Sequence, residues 1–182
     1  MGLRPRFQSV PGTAEATTLE SGSVDLITCA QSFHWFDQEK TRPEFNRILR
    51  AGAPVAIIWN ERLDDASELE REYEAILQRL APEYPKVVHR HVTLNQIQAF
   101  FGPRPVQLFT FPHFQFLDRE AFLGRVLSSS FIPNVGQPGH TEVMSAVADL
   151  FDRLQTSGRV RMEYETRLYW GRFEAGGRKV PA

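Results

Sequence analysis

The sequence has a single cysteine, no excess of charge of either sign and no long apolar run. Cys29 has no partner for an internal disulfide, which is typical of a reducing compartment. The 21 lysines and arginines offset 22 acids to a formal net charge of -1, so the basic excess typical of a nucleic-acid binder is absent. No window reaches the roughly 18 apolar residues of a membrane span, and Met1–Val10 contains no apolar signal segment. Because a hydrophobic content of 42% is enough for a packed core, we expect a soluble, cytoplasmic, globular protein.

Two short apolar, β-prone runs flank a helical stretch in the first third of the chain. Val24–Ala30 and Pro54–Asn60 have the length and composition of strands that are buried on both faces. Between them, Thr41 and Glu44 stand at capping-box spacing, so the helix begins at Thr41, or earlier with a distortion at Pro43. Strand, helix and strand together predict a βαβ unit with a parallel sheet.

The remaining segments predict further helices and strands, and the whole chain an α/β fold. Arg6–Thr18 predicts a weak strand that runs into a loop. Apolar periodicity and cap residues predict helices over Ser67–Leu80, Thr93–Phe101, a segment capped by Asp118, and Thr141–Leu154. Strands are predicted over Val106–Phe116 and Val160–Trp170. We expect the aromatic run Phe109–Phe116 to be core rather than a platform for stacking nucleic-acid bases.

The most informative segment, Ala30–Asp37, directly follows the first predicted strand. In open parallel α/β sheets, ligands bind at the carboxyl ends of the strands. Trp35 has an electron-rich face for a ring or a sulfonium, and His34 can accept a proton near neutral pH. In the alternative interpretation Phe33, Trp35 and Phe36 cap the core and a backbone group satisfies His34. The residues alone leave both interpretations open.

Several segments of the chain, taken together, resemble the class I S-adenosylmethionine-dependent methyltransferases. The similarity is greatest to the methyltransferase type 11 branch, which includes enzymes similar to trans-aconitate methyltransferase. The segments that carry it are Gly12–Glu15, Ser23–Thr28, Ala30–Asp37, Glu44, Arg47–Gly52 and Ala56–Asn60, with a weaker match over Leu127–Pro133 and the final strand.

This resemblance implies a cofactor, S-adenosylmethionine, and a role for individual residues. The loop beside the adenine would be Thr13, Ala14 and Glu15. The loop at the methionine end would be Ala30, Gln31 and Ser32. His34 and Trp35 would then face the methyl group and the acceptor, with His34 as a base or as a group that orients the acceptor. Methyl transfer is an in-line displacement in which positioning does much of the work, so we expect no metal.

The resemblance also implies an acceptor region. We predict one domain over 1–182, with a partial cofactor-side core over 1–62, an acceptor pocket or lid over 63–139, and a C-terminal helix and strand over 140–173. A carboxylate or another small acceptor is expected, with Arg62, Tyr84 and Arg125 as candidate contacts.

The sequence departs from the family at the cofactor loop. It contains 12 glycines, but no two stand at the Gly-x-Gly spacing that forms the family's cofactor turn. We therefore expect a partial Rossmann-like fold that is truncated before the third strand, with a helical or irregular insert and C-terminal strands. Without strands one and two of the family order 3-2-1-4-5-7-6, the Val24–Ala30 strand keeps an unpaired edge. Since such an edge is a template for another chain, we expect a homodimer with this strand or its neighbours near the contact, and weak cofactor binding by the chain alone.

Three other interpretations remain open: a non-catalytic remnant that serves as a dimerisation or interaction module, an N-terminal half encoded upstream of Met1, and a ligand-binding protein without catalysis. Smaller motifs favour structural roles. His89-x-His91 with Glu83 lacks a full set of metal ligands, and Cys29 is expected to be an inert core thiol.

Overall fold

The computed structural model describes residues 7–85 and 92–174, which form a mixed α/β fold. Its strands are β1 (Ile27–Ala30), β2 (Val55–Arg62), β3 (Gln107–Leu117) and β4 (Val160–Gly171). Its α-helices are α1 (Gln38–Ile48), α2 (Glu68–Leu80), α3 (Leu94–Phe101), α4 (Arg119–Leu127) and α5 (His140–Leu154), and a 3-10 turn covers Phe33–Trp35. None of the helices in these ranges has the length and apolar character needed to cross a membrane.

The four strands form one sheet in the order β1-β2-β4-β3. β1 and β2 are parallel, with Ile27 opposite Val55 and Ala30 opposite Ile58. The predicted α/β class and the parallel βαβ unit are confirmed. The order β1-β2-β4-β3 has the same pattern as the last four strands, 4-5-7-6, of the strand order that the resemblance implies. β1 therefore lies at one edge of the described sheet and β3 at the other.

Local caps begin three of the helices where the sequence predicts them. The Ser67 hydroxyl accepts the N–H of Leu69 at 3.1 Å, and Asp118 accepts the N–H of Ala121 at 2.9 Å. Thr93 and Gln96 form a reciprocal capping box, in which the side chain of each residue accepts the backbone N–H of the other. These contacts satisfy N–H groups that have no partner inside the helix.

α1 begins at Gln38, because Asp37 accepts the N–H of Lys40, and Pro43 lies inside the helix, so the earlier of the two predicted starts is confirmed. Two other expectations are wrong in detail. The part of the predicted N-terminal strand within the described residues is a loop with one isolated bridge between Thr13 and Ala16. The aromatic run of β3 is not core, since its large side chains are 44% to 59% exposed.

The chain divides into two compact units. The first unit comprises the described parts of 1–58, 92–109 and 168–182, and its core is rich in edge-to-face phenylalanine contacts. The Phe33 and Phe100 ring centroids are 4.8 Å apart, and those of Phe100 and Phe173 are 5.4 Å apart. Gly171 leaves room for the ring of Phe101 in the same core, because a Cβ at this position would lie 2.6 Å from a carbon of that ring.

The second unit comprises the described parts of 59–91 and 110–167. Its core lies among α2, α4, α5 and the first half of β4, with Leu77, Phe122 and Leu150 all fully buried. The carboxylate of Glu70 is also fully buried. It accepts the N–H of Glu163 at 2.9 Å and the hydroxyl of Ser67, and thereby ties the start of α2 to β4.

Candidate functional site

The first candidate region lies at the carboxyl end of β1, within the first unit. β1 ends at Ala30, and the N–H of Gln31 donates to the carbonyl of Ile58 at 3.0 Å. Gln31 has a φ of 52°, in the left-handed region that costs energy for a residue with a Cβ. Strained backbone of this kind clusters at ligand-binding sites, so the strand end is a candidate site on geometric grounds.

The turn that follows Gln31 buries one ring and exposes another. Phe33 is fully buried in the core, whereas Trp35 is 70% exposed. The His34 and Trp35 ring centroids are 4.7 Å apart, and His34 is exposed as well. The alternative interpretation, in which these aromatic side chains cap the core, is therefore confirmed for Phe33 but wrong for Trp35.

A second loop, Thr13–Thr17, is tied to the same turn by Glu15. The Glu15 carboxylate accepts the N–H of Asp37 at 3.0 Å and the hydroxyl of Thr41 at 3.5 Å. The hydrogen bond from Asp37 is the main cause that lowers the pKa of Glu15. The structure thus brings the predicted adenine loop next to the segment that carries His34 and Trp35, and it uses the Glu15 carboxylate as the link.

Glu44 anchors the other end of this loop to α1, a role that the sequence did not indicate. Its carboxylate accepts the N–H of Thr17 at 2.8 Å and the Thr17 hydroxyl at 2.5 Å. Hydrogen bonds from Arg47 and Thr17 lower the pKa of Glu44 to about 2. The predicted capping box of Thr41 with Glu44 is therefore wrong, because Asp37 caps the helix and Glu44 makes a long-range contact.

The second candidate region is a cluster of charged and phenolic groups in the second unit, at the end of β2. Arg62 Nη2 donates to Glu74 at 2.5 Å and to the Tyr84 hydroxyl at 3.1 Å, and it lies 3.0 Å from Asp64. The Tyr84 hydroxyl donates to Glu74 at 2.6 Å. The guanidinium also lies over the Tyr73 ring, 4.9 Å from its centroid. The predicted contacts Arg62 and Tyr84 are therefore neighbours, joined by a glutamate that the sequence did not indicate.

Arg125, the third predicted acceptor contact, is one of the charged groups that act on Tyr73. Its Nε lies 3.4 Å from the Tyr164 hydroxyl. Burial raises the pKa of Tyr73 to about 12, while the charges of Arg62 and Arg125 act in the opposite direction. Arg62 Nη1 is buried and has no hydrogen-bond partner within the described residues.

The structure describes no metal-binding arrangement. In the ranges 7–85 and 92–174, no three His, Cys, Asp or Glu side chains are placed to hold a metal ion. His89 and His91 lie outside the described residues. Cys29 is buried, which raises the pKa of its thiol to about 12 and makes the thiolate scarce at neutral pH.

Comparison with known proteins identifies relatives of the chain. Residues 2–57 match the family described as Methyltransf_11, methyltransferase domain. An uncharacterised methyltransferase-like protein of Schizosaccharomyces pombe is 27% identical over 175 residues, which cover 92% of this chain and 66% of that protein. An uncharacterised methyltransferase of Mycobacterium bovis is 36% identical over 95 residues, covering 48% of this chain and 39% of that protein. The chain thus spans less than two thirds of the length of these relatives.

A solved structure shares the fold over nearly the whole chain. It is that of a candidate type II methyltransferase from Anaeromyxobacter dehalogenans, with a TM-score of 0.61 and 22% identity, covering 93% of this chain and 73% of that one. The matched domain, the relatives and the fold agree with the motifs at the carboxyl end of β1. The first third of the chain therefore matches a methyltransferase domain family, and the chain as a whole shares the fold of a methyltransferase structure.

Proposed function

We propose that the chain provides the cofactor-side loops and the acceptor region of a methyltransferase that acts on a small molecule. The observation that carries the proposal is the hydrogen bond from the Asp37 N–H to Glu15, which joins two loops of the first unit. One of these loops contains the strained Gln31 and the exposed Trp35. Two loops that are distant in sequence and held together beside a strand end form a surface for an extended ligand.

The residues of the first unit suit S-adenosylmethionine in part. Thr13 and Ala14 would lie beside the adenine, and Ala30, Gln31 and Ser32 would contact the methionine end. When bound, this cofactor supplies an activated methyl group on a cationic sulfur. The exposed face of Trp35 fits such a cation. The Glu15 carboxylate already accepts hydrogen bonds from the protein, so its proposed role is to hold the loop rather than to bind the ribose.

The cofactor proposal is tested by isothermal titration of the purified chain with S-adenosylhomocysteine. We expect weak, saturable binding, since the sequence has no Gly-x-Gly turn. Trp35→Ala should weaken binding about 10-fold through loss of stacking and cation–π contact. Val135→Ala, at a side chain 83% exposed in the second unit, is the matched control and should bind as the original chain does. A folded chain that binds no cofactor would favour the non-catalytic interaction module.

His34 is proposed to act as a base or to orient the acceptor. Its exposed ring lies beside Trp35 and has a reference pKa near neutrality, as general-base catalysis at pH 7 requires. With an acceptor found by screening, His34→Gln should lower kcat at least about 100-fold if His34 is the base. Methyl transfer that continues unchanged in this variant would contradict both roles.

For the acceptor we propose a small carboxylate that contacts Arg62, Tyr84 and Arg125. Arg62 keeps a buried Nη1 without a described partner, and Arg125 makes one long hydrogen bond to Tyr164. Guanidinium groups that have N–H donors without a hydrogen-bond partner bind carboxylates in bidentate geometry. Citrate serves as a probe: it should raise the melting temperature of the chain, and Arg125→Gln should weaken that effect while Arg104→Gln, at an exposed arginine of the first unit, should not. An equal response of both variants would argue against this acceptor class.

A further inference from the structure

Arg62 pairs with two carboxylates of the second unit, and the protein holds them with different firmness. Arg62 Nη2 lies 2.5 Å from Glu74 and 3.0 Å from Asp64. The Glu74 side chain lies on α2, is 17% exposed and also accepts the Tyr84 hydroxyl. The Asp64 side chain is 58% exposed and lies on the bend between β2 and α2. Because water competes for the carboxylate of an exposed pair, Asp64 is the more readily exchanged of the two.

The position of the Asp64 carboxylate can also be reached by a carboxylate from solution. One of its oxygens already lies at ion-pair distance from Arg62 Nη2, and the side chain is largely open to solvent, so the structure shows both room and access for this functional group. Arg62 Nη1 is buried and has no hydrogen-bond partner within the described residues. A carboxylate that is not tethered to the backbone can turn to face both nitrogens, as in the bidentate pairs that arginine forms, and so satisfy Nη1.

The charges around Tyr73 favour replacement of Asp64 over the addition of a further anion. The positive charges of Arg62 and Arg125 lower the pKa of this buried phenol, and the negative charge of Glu74 opposes them. Two positive groups and one negative group leave a net charge of +1, which Asp64 offsets at Arg62. One further carboxylate in the position of Asp64 keeps this balance, whereas a carboxylate beside Asp64 would leave an excess of negative charge.

We propose that Asp64 occupies the place on Arg62 that the carboxylate of the acceptor takes when it binds. This inference rests on the proposed function, in which the second unit receives a small carboxylate. Binding exchanges one ion pair for another: Asp64 turns out into solvent, and the ligand carboxylate accepts hydrogen bonds from the guanidinium. Glu74 and Tyr84 keep the guanidinium in position throughout. Asp64 is thereby a specificity residue, because a ligand without a carboxylate cannot take its place.

Isothermal titration of the chain with citrate, at roughly 0.15 M salt, tests this proposal. Asp64→Asn should bind citrate about 3- to 5-fold more tightly than the original chain, because an exposed ion pair no longer competes with the ligand. Asp65→Asn removes the same charge from the exposed neighbouring residue and is the matched control for charge alone. It should change the affinity by less than about 1.5-fold, because salt screens exposed charges.

The melting temperature without citrate separates this role from a structural one. Asp64→Asn should shift it by no more than about 3 °C, because an exposed ion pair contributes little to stability. A larger loss together with unchanged citrate affinity would mean that the ion pair serves to stabilise the bend, and it would overturn the proposal.

The titration also distinguishes failure of this proposal from failure of the acceptor class. Equal affinities in all three chains, an equal gain in both variants, or weaker binding by Asp64→Asn would each overturn the role of Asp64 and leave the carboxylate site intact. Citrate bound by neither the original chain nor Asp64→Asn would overturn the acceptor class as well. Binding by Asp64→Asn alone would support the proposal, since competition from Asp64 would then explain why the original chain does not bind.

Discussion

Carboxylates fix the structure in both units, but they do so in different surroundings. In the first unit, Glu15 and Glu44 hold a surface loop against α1 and the turn after β1. In the second unit, Glu70 is fully buried and joins α2 to β4. A buried acceptor is costly to lose, because the groups that donate to it cannot find water, whereas a surface anchor mainly controls the conformation of a loop. We therefore expect changes in the second unit to alter stability, and changes in the loops of the first to alter ligand affinity.

The largest expected effect is that of Glu70→Ala. This change leaves the N–H of the half-buried Glu163 without its acceptor and creates a cavity at the fully buried Glu70. We expect it to reduce the free energy of unfolding by about 3 kcal/mol. The measurement is urea unfolding, with Glu70→Gln as the control that retains an acceptor oxygen and loses less. Equal losses in the two variants would show that the negative charge, rather than the hydrogen bond, stabilises this position.

A smaller effect of opposite sign is expected at Gln31. Its left-handed backbone is matched by Ser157, which has the same φ of 52° in a turn of the second unit. Glycine at either position should stabilise the chain by about 0.5 to 1 kcal/mol, because glycine adopts this conformation without strain. Only Gln31→Gly should also weaken S-adenosylhomocysteine binding in the titration. If both variants retained full affinity, the strain at the end of β1 would have no part in binding.

The smallest expected effect is the pH dependence that Glu44 contributes. Its pKa is lowered from the reference value of 4.5 to about 2 in the folded chain. The stabilisation is therefore fully present above about pH 4.5 and is lost as the pH falls towards 2. Glu44→Gln should flatten the fall of the melting temperature over this range. An unchanged slope would mean that the contact of Glu44 with Thr17 and Arg47 does not persist in solution.

Local signals made much of the fold predictable. Ser67, Thr93 and Asp118 start helices through contacts with residues two or three positions away, so spacing alone reveals them. The parallel pairing of β1 with β2 follows from two apolar runs on either side of a helix. The order of the four strands, in contrast, could be anticipated only through the family resemblance.

Long-range polar contacts and surface exposure could not be predicted in this way. Glu15 and Asp37 lie 22 positions apart, and no periodicity relates a loop carboxylate to a helix N-terminus. Glu74 could be assigned only to a helix, while its bonds to Arg62 and Tyr84 depend on packing. The β3 aromatics suggested core by composition, but their side chains stay exposed, and composition does not reveal which strand faces are covered. The proposed cofactor and acceptor residues remain predictions.

Hydrogen exchange with and without S-adenosylhomocysteine tests the central claim most directly, namely that the two loops of the first unit form one cofactor surface. Bound cofactor should slow exchange in both 12–17 and 30–37, because the Asp37 N–H and Glu15 join these segments. Exchange over α3, in the same unit but without a proposed cofactor contact, should stay unchanged. Protection of only one loop, or of neither, would contradict the claim.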